Sequence, residues 1–329
     1  MNIWLLFSLD AAFIIVAGMQ LTKNAEKIAA NLGLSQTWAG ALLLPLATTL
    51  PELVTSVRAA LIAAPDLVGG NIYGSILFNL TLIALIDLVQ GRGPLVARRK
   101  RTLLLTALMS MLILVISILG FILALPYRVG WIGLDSLAIL IVYLLGSGMI
   151  MGLEGRRREQ AEDKNGAEDN RKKDLLCSCL FFGLAALIIV AAGTNLTDTA
   201  DSISRETGLG RTLVGTIFIA ITTSLPELVT TIAAARLGFV EMAVANVFGA
   251  NFLDVFIFFI ADLFYRQGLL FLHLSAQNFI LALMGIFLSL IVLISLHYPF
   301  RRQFLRMGLP SYFIIISYVV TIIFLYVSS

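Results

Sequence analysis

Long, nearly uncharged apolar runs dominate this sequence. Ten of them fall near residues 3–21, 38–64, 67–90, 102–125, 131–152, 175–195, 213–237, 240–265, 275–297 and 309–327. About 20 apolar residues are enough for an α-helix to cross the hydrocarbon core of a bilayer. The runs are continuous and do not alternate, which argues against a transmembrane β-barrel. They predict an all-α integral membrane protein with ten transmembrane helices.

The composition excludes a soluble or disordered chain. Of the 329 residues, 59% are hydrophobic and only 13% are charged, about half the charged fraction of a typical soluble domain. The basic clusters lie beside apolar runs, so membrane lipid is an expected partner and nucleic acid is not. No cofactor and no obligatory protein partner is evident. Cys177 and Cys179 are too few for a disulfide framework, and we expect reduced packing residues at a helix start.

The basic residues predict how the chain is oriented. The odd-numbered loops between the ten runs hold 18 of the 23 Lys and Arg residues. Cytoplasmic loops carry the excess of positive charge, so these loops should be cytoplasmic and both termini outside. The polar stretch 153–174 is then a cytoplasmic linker. No organelle address stands out, and the cell membrane is the expected location.

The chain also contains a duplicated unit. Leu50–Thr55 and Leu225–Thr230 have the same sequence, Leu-Pro-Glu-Leu-Val-Thr, at an offset of 175. Without a gap, the same offset pairs Gly18 with Gly193, Asn71 with Asn246, Gly74 with Gly249 and Asp87 with Asp262. Each copy holds five runs, so the second must enter the membrane from the opposite side. This predicts two inverted five-helix repeats over 1–152 and 175–329, a plan typical of secondary transporters.

Acidic residues fall in the middle of the repeated runs. Glu52 lies 14 residues into the second run, roughly 21 Å from its start at 1.5 Å per residue, and Glu227 is placed likewise in the seventh. Asn79 and Asp254, again 175 apart, lie within the third and eighth runs. An ionisable group at the bilayer centre costs about 2.5–3.5 kcal/mol on insertion scales. Three carboxylates at one depth therefore predict a bound cation or proton.

Pro51 and Pro226 directly precede the two glutamates. Proline lacks an N–H and clashes with the carbonyl four residues earlier. We therefore expect a helix break that frees carbonyls near Thr48 and Thr223. Such backbone is tolerated at membrane depth only inside protein or along a wet cavity. Carbonyls and carboxylates together favour Ca2+ or Na+, whereas Zn2+ or Cu+ would need a Cys/His cluster.

Helical spacing places further polar residues near the same point. Two sets of residues four apart share a helix face: Asn71, Ser75 and Asn79, and Asn246, Ala250 and Asp254. Thr49 and Ser224 lie three residues before the glutamates. For Asn71 and Asn246, a packing hydrogen bond and a place in the site are equally plausible. Asp87 and Asp262 fall at run ends, where we expect the membrane interface.

These motifs resemble the α-repeats of the cation/calcium antiporter superfamily, the membrane domain of sodium/calcium exchangers of prokaryotic type. The family pattern is approximately G-T-S-L-P-E followed by G-N-x-x-G-S-N-x-x-[ND]. Residues 47–79 contain A-T-T-L-P-E and G-N-I-Y-G-S-I-L-F-N, and residues 222–254 contain T-T-S-L-P-E and A-N-V-F-G-A-N-F-L-D. The resemblance covers the ten-helix plan.

The resemblance implies an antiporter, not an enzyme, that exchanges Ca2+ for Na+ by alternating access. By position, it assigns Ca2+ binding to Glu52 and Glu227 with carbonyls of Thr48 and Thr223. It assigns help in Na+ binding to Thr49, Ser75, Asn79, Ser224 and Asp254. Ca2+ and Na+ are then substrates and not cofactors.

The sequence departs from the family pattern at positions that concern Na+. Ala250 replaces a serine that helps form a Na+ site, and Ile76 replaces an asparagine. A Ca2+/H+ exchanger, or another divalent cation/H+ exchanger, is therefore the alternative, since it needs fewer Na+ ligands. A cation channel could use the same oxygen atoms but would conduct without a partner gradient. An intramembrane protease would need a G-x-G-D-like motif, which the sequence lacks.

Overall fold

The computed structural model describes residues 2–32, 44–90, 101–123, 126–155, 168–297, 303–304 and 307–328. The helices are α1 Ile3–Asn31, α2 Leu44–Thr48, α3 Leu50–Leu61, α4 Pro65–Gln90, α5 Arg101–Leu123, α6 Leu134–Gly155, α7 Glu168–Thr207, α8 Arg211–Val214, α9 Ala220–Thr223, α10 Leu225–Arg236, α11 Val240–Phe264, α12 Ala276–His297 and α13 Leu309–Val327. A π-helical turn, Gly215–Ile219, joins α8 to α9, and a 3-10 turn, Leu270–His273, precedes α12.

Two short antiparallel hairpins complete the described structure. β1 (Arg128–Val129) pairs with β2 (Ile132–Gly133), and β3 (Gln303–Phe304) pairs with β4 (Met307–Gly308). The two hairpins lie 175 residues apart, at the same offset as the sequence repeat.

The prediction of an all-α membrane protein is confirmed. Eight described helices are long and apolar enough to cross a membrane: α1, α4, α5, α6, α7, α11, α12 and α13. The pair Arg211–Thr223 and Leu225–Arg236, bent by 48°, makes a ninth if it is counted as one span. The second predicted run is described only from residue 44 onward, where it contains the short helices α2 and α3, and its first residues lie outside the described ranges.

Two helices are much longer than their apolar runs predict. α1 continues ten residues past the predicted end of its run, and α7 begins at Glu168 and ends at Thr207. Polar residues such as Lys23 and Lys27 continue the helix, because they are good helix formers although they end the apolar pattern. Within the predicted linker, residues 156–167 lie outside the described ranges, and the residues from Glu168 onward belong to α7.

The cysteines lie near the start of α7, as expected, and both are free. The prediction that they are packing residues is wrong, since both side chains are exposed. Ser178 between them is buried. Successive helical residues point about 100° apart, so the cysteines flank the buried face on either side.

α4 and α11 form the centre of the described structure. In their most apolar 18-residue windows, 78% and 72% of the residues are buried, against 22% for α7 and α13. α1 and α7 instead pack along each other. A helix that is apolar on all sides is typical of such a buried position. The burial places Asn79 on α4 and Asp254 on α11 inside the protein.

Glycines allow α4 to touch the backbone of the π-helical region. A Cβ at Gly70 would lie 2.5 Å from the carbonyl oxygen of Thr212, and one at Gly74 would lie 2.8 Å from the Cα of Thr216. No side chain fits in these gaps, so small residues at both positions allow the two backbones to approach closely. This contact holds the segment before the second Pro-Glu motif against α4.

Two buried aspartates connect the halves of the chain reciprocally. Asp262 on α11 accepts a hydrogen bond from the N–H of Gly133 at 2.9 Å. Asp87 on α4 accepts one from the N–H of Gly308 at 2.7 Å. Both aspartates are at most 1% exposed. Each half therefore binds the hairpin of the other half, a role that their position at run ends did not reveal.

Candidate ion-binding site

The helices break at the two Pro-Glu motifs. α2 and α3 are separated by Thr49, and α9 and α10 by Ser224. Pro51 and Pro226 are each the second residue of the helix that follows. The predicted breaks are confirmed. The carbonyl four residues before each proline has no α-helical donor, because proline has no N–H.

The glutamates lie in the first turns of the helices that the prolines begin. Glu52 is in the first turn of α3 and Glu227 in that of α10. Each is 1% exposed. The N-terminus of a helix carries a partial positive charge, which stabilises a nearby carboxylate. The repeat thus places two carboxylates on two equivalent helix starts.

A hydroxyl group of the second motif reaches the glutamate of the first. Ser224 donates to Oε1 of Glu52 at 2.9 Å. Oε2 of Glu52 and both carboxylate oxygens of Glu227 are buried without a hydrogen-bond partner. The two motifs therefore meet at one site, as the sequence predicts.

The third and eighth predicted runs meet at an amide–carboxylate pair. Nδ2 of Asn79 donates to Oδ2 of Asp254 at 3.4 Å. The remaining oxygens, Oδ1 of Asn79 and Oδ1 of Asp254, have no partner. Oγ of Ser75, one helical turn before Asn79, is also unpartnered. All three side chains are at most 1% exposed.

The predicted site residues thus carry a concentration of unsatisfied oxygens. Six buried oxygens lack a hydrogen-bond partner: Oε2 of Glu52, Oγ of Ser75, Oδ1 of Asn79, Oε1 and Oε2 of Glu227, and Oδ1 of Asp254. Leaving a buried polar group unsatisfied costs about 1–3 kcal/mol, and more for a charged group. Oxygens are the ligands that Ca2+ prefers. These oxygens are therefore available as ligands for a bound cation.

The acidic groups do not form a metal cluster by themselves. Within the described ranges, no three His, Cys, Asp or Glu side chains meet closely enough to hold a metal ion. A cation bound here would therefore need neutral oxygens as well. Hydroxyl, amide and carbonyl oxygens of the two motifs are the available ligands.

The motif threonines offer mainly their backbone carbonyls. The hydroxyls of Thr48 and Thr49 donate to the carbonyl of Pro45 at 3.3 and 2.6 Å. The hydroxyl of Thr223 lies 3.2 Å from the carbonyl oxygen of Ala220 and 3.4 Å from Oδ1 of Asn71, either of which can accept its hydrogen bond. The hydroxyl of Thr49 bonds within its own segment. Unlike the hydroxyl of its counterpart Ser224, it therefore donates no hydrogen bond to a glutamate.

The two equivalent asparagines differ in their surroundings. Nδ2 of Asn71 lies within hydrogen-bond distance of three acceptors: the carbonyl of Glu52 at 3.2 Å, Oγ1 of Thr55 at 2.9 Å and Oγ of Ser56 at 2.8 Å. Asn246, also buried, has no partner for either amide atom. Asn71 therefore fixes α4 against the first turns of α3. The sequence did not single out Thr55 and Ser56, although their position one turn after Glu52 is a usable signal.

Comparisons with known proteins agree with these motifs. A model of the family described as sodium/calcium exchanger protein matches residues 2–150 and 177–328. An uncharacterized membrane protein of Methanocaldococcus jannaschii, MJ0091, is 28% identical over 277 residues and covers 82% of each chain. The sodium/calcium exchanger MaX1 of Methanosarcina acetivorans is 25% identical over 300 residues, covering 80% of this chain and 83% of its own.

A solved structure has the same fold. The sodium-calcium exchanger NCX_Mj, soaked with Na+ and Sr2+, aligns over 97% of both chains with a TM-score of 0.64 at 22% identity. The matched family consists of exchangers, which are transporters and not enzymes. Both the expected family and the absence of an enzymatic activity are thereby confirmed.

Proposed function

Because this chain belongs to the sodium/calcium exchanger protein family, we propose that it exchanges Ca2+ for Na+ across the cell membrane by alternating access. The six unpartnered oxygens on five predicted site residues are the observation that supports the proposal most directly. The name of the relative MaX1 supports the choice of the two ions.

Glu52 and Glu227 are the proposed principal Ca2+ ligands, since each carries an unpartnered buried carboxylate oxygen. The carbonyls of Thr48 and Thr223 complete this set from the ends of α2 and α9. Na+ would bind through the other polar positions: Thr49, Ser75, Asn79, Ser224 and Asp254. Carboxylates, amides, hydroxyls and carbonyls together supply the oxygen ligands that hard cations prefer.

Shared ligands couple the two ions. When no ion is bound, the carboxylates lie uncompensated inside the membrane, which is energetically costly. The protein therefore switches between its outward-open and inward-open conformations mainly when an ion occupies the site. Ca2+ and Na+ compete for Glu52 and Glu227, so that each is carried in a separate half of the cycle.

We propose that the chain crosses the membrane ten times, as two inverted five-helix repeats over 1–152 and 175–329 with the linker 153–174 in the cytoplasm. Both termini would lie outside. The offset of 175, the helix bounds and the Lys and Arg distribution support this arrangement. α1 and α7 would move against the motif helices, with Gly18 and Gly193 easing the motion.

A Ca2+/H+ exchanger is the second candidate, and one observation favours it. Ala250 is fully buried one helical turn before Asp254, where the family has a serine. The missing hydroxyl removes one Na+ ligand. The carboxylates could instead carry protons in the return half of the cycle.

The experiment is uptake of radiolabelled Ca2+ by proteoliposomes loaded with Na+ and diluted into Na+-free buffer at fixed pH. A second set of vesicles carries a proton gradient without Na+. Uptake that requires internal Na+ is expected. Uptake driven only by the proton gradient would favour Ca2+/H+ exchange, and uptake without either gradient would indicate a channel.

Two site variants and one control test the carboxylates. Glu52→Gln and Glu227→Gln keep the side-chain shape but remove the charge, and we expect each to abolish Ca2+ uptake while the protein still inserts. Glu206→Gln, at an exposed position near the end of α7, should leave uptake unchanged. Normal flux in both site variants would refute the proposed site.

A further inference from the structure

An ion pair joins one of the two long helices to a motif helix. Nε of Arg58 on α3 donates to Oδ1 of Asp198 on α7 at 2.8 Å. Nη2 of Arg58 donates to Oδ2 of the same aspartate, also at 2.8 Å. Two parallel N–H···O bonds fix both position and orientation, which a single contact does not. α3 also carries Glu52, six residues before Arg58 and about 9 Å away along the helix at 1.5 Å per residue.

The ion pair lies at the end of a longer contact between α7 and α3. The hydroxyl of Thr197 donates to the carbonyl of Gly193 in its own helix at 2.8 Å and also lies 3.3 Å from the carbonyl oxygen of Thr55. One turn earlier, a Cβ at Gly193 would lie 3.0 Å from Cγ1 of Val54. Consecutive turns of α7 are therefore fitted against the helix that holds Glu52.

The equivalent contact in the other half has none of these polar bonds. At the offset of 175, Arg58 corresponds to Ala233 on α10, and Asp198 corresponds to Lys23 on α1. The counterpart of Thr197 is Thr22, whose hydroxyl likewise donates to a carbonyl of its own helix, that of Gly18 at 3.0 Å, but within the described ranges has no second hydrogen bond to α10. α7 also packs more extensively against α3 than α1 does against α10. A Cβ at Gly18 would lie 2.5 Å from Cγ of Pro226, so the helices approach closely on both sides, and the Arg58–Asp198 ion pair is the feature that distinguishes the two contacts.

We propose that the Arg58–Asp198 pair is a latch that holds α7 on α3 and closes one of the two routes to the ion site. The proposal rests on the proposed exchange function. When α7 shifts along α3 to open that route, the two parallel bonds break. By the Lys and Arg distribution, the pair lies toward the outer ends of both helices, so the closed route is the outer one.

The ion pair is strong enough to favour the conformation in which the outer route is closed. It is also weak enough to break during each transport cycle. The Arg58 and Asp198 side chains are 33% and 42% exposed. Ion pairs with this exposure shift an equilibrium by roughly two- to fivefold. An apparent affinity scales with the fraction of molecules that is open to the ion. Breaking the pair should therefore strengthen apparent Ca2+ binding from outside and weaken it from inside.

Charge reversal tests the latch in membrane vesicles of defined sidedness. We expect Arg58→Asp and Asp198→Arg each to lower the half-saturating outer Ca2+ concentration by roughly two- to fivefold and to raise the inner one. The double variant, which restores an opposite-charge pair, should return both values toward those of the unmodified protein. Replacing a residue with only a structural role would not change the outer and inner half-saturating Ca2+ concentrations in opposite directions. Unchanged values in both single variants, or no rescue in the double variant, would overturn the latch.

A reversible cross-link provides a second test. The Cβ positions of Val54 and residue 193 lie 3.5 Å apart, within the range for disulfides. In a protein whose native cysteines are changed by Cys177→Ser and Cys179→Ser, the pair Val54→Cys and Gly193→Cys should form a disulfide. We expect oxidation to stop exchange and reduction to restore the rate of the reduced double variant, while oxidation leaves the rate of each single cysteine variant unchanged. Full exchange in completely cross-linked protein would overturn the latch.

The rate of that cross-link separates the latch from the proposed function. Asp198→Asn removes the charge with little change of shape and should slow disulfide formation by roughly two- to fivefold. This readout needs no ion flux. An unchanged rate overturns the latch, whereas absence of any gradient-driven Ca2+ flux in the unmodified protein overturns only the proposed function.

Discussion

The hydroxyl of Ser224 lies 2.9 Å from Oε1 of Glu52 and donates a hydrogen bond to it, although 172 residues separate the two in the sequence. Ser224 is the residue at which α9 and α10 break, and Glu52 lies in the first turn of α3. Each repeat therefore contributes part of the surroundings of one carboxylate. A site divided in this way changes when the repeats move relative to each other, which is what alternating access requires.

We expect Ser224→Ala to weaken ion binding without preventing insertion. A hydrogen bond to a charged group contributes about 1.5–3 kcal/mol, and 1.4 kcal/mol corresponds to about a tenfold change in affinity. The half-saturating Na+ concentration for Ca2+ uptake should therefore rise by about tenfold. Ser224→Thr keeps the hydroxyl and should stay close to the unmodified protein. An unchanged Na+ requirement in the alanine variant would contradict the assigned role.

We expect Ala250→Ser to strengthen the dependence of Ca2+ uptake on Na+. The new hydroxyl would lie one turn before Asp254, on the same helix face. One added oxygen ligand should lower the half-saturating Na+ concentration by about threefold, on the scale of one net hydrogen bond. Ala261→Ser, equally buried on α11 but about two turns past Asp254, is the matched control. Equal effects in both variants would show that the change is general and not local to the site.

Asp262→Asn should destabilise the fold more than it impairs exchange. Oδ2 of Asp262 accepts from Gly133 at 2.9 Å and Oδ1 accepts from Leu270 at 3.1 Å. An asparagine has only one acceptor oxygen, so one buried N–H loses its partner, at about 1–3 kcal/mol. Thermal unfolding in detergent should show a lower midpoint than in the exposed control Glu206→Gln. Equal midpoints would refute the stabilising role of Asp262.

Much of the fold was predictable because its signals are local. Apolar runs indicate spans, and Pro51 and Pro226 indicate broken helices at the sites where α3 and α10 begin. The offset of 175 also pairs Glu52 with Glu227, and this equivalence predicts a shared site. These features depend on the order of residues and on simple backbone chemistry.

Other features depend on contacts that the sequence does not encode locally. Asp87 and Asp262 bind hairpins of two-residue strands from the opposite half, and such short strands have no periodicity to detect. The π-helical turn Gly215–Ile219 likewise has no sequence signature. Arg58 and Asp198 are 140 residues apart in the sequence. Neither segment contains a local signal that would predict the ion pair.

The two equivalent asparagines should respond differently to removal of their amides. Asn71→Ala would leave the carbonyl of Glu52 and the Thr55 and Ser56 hydroxyls without the donor that now links them. Asn246→Ala would remove an amide with no hydrogen-bond partner. We expect Asn71→Ala to lower the free energy of unfolding by about 1–3 kcal/mol and to reduce Ca2+ affinity, because α3 would hold Glu52 less rigidly.

Asn246→Ala is the matched comparison, since it makes the same chemical change at the equivalent position of the other repeat. It should cost less stability, because no bond is lost and an unsatisfied polar group leaves the interior. Thermal unfolding in detergent and half-saturating Ca2+ in proteoliposomes, measured side by side, distinguish the two. Equal losses in both variants would mean that the asparagines form the same bonds in solution, and the asymmetry between the repeats would then not be a property of the resting protein.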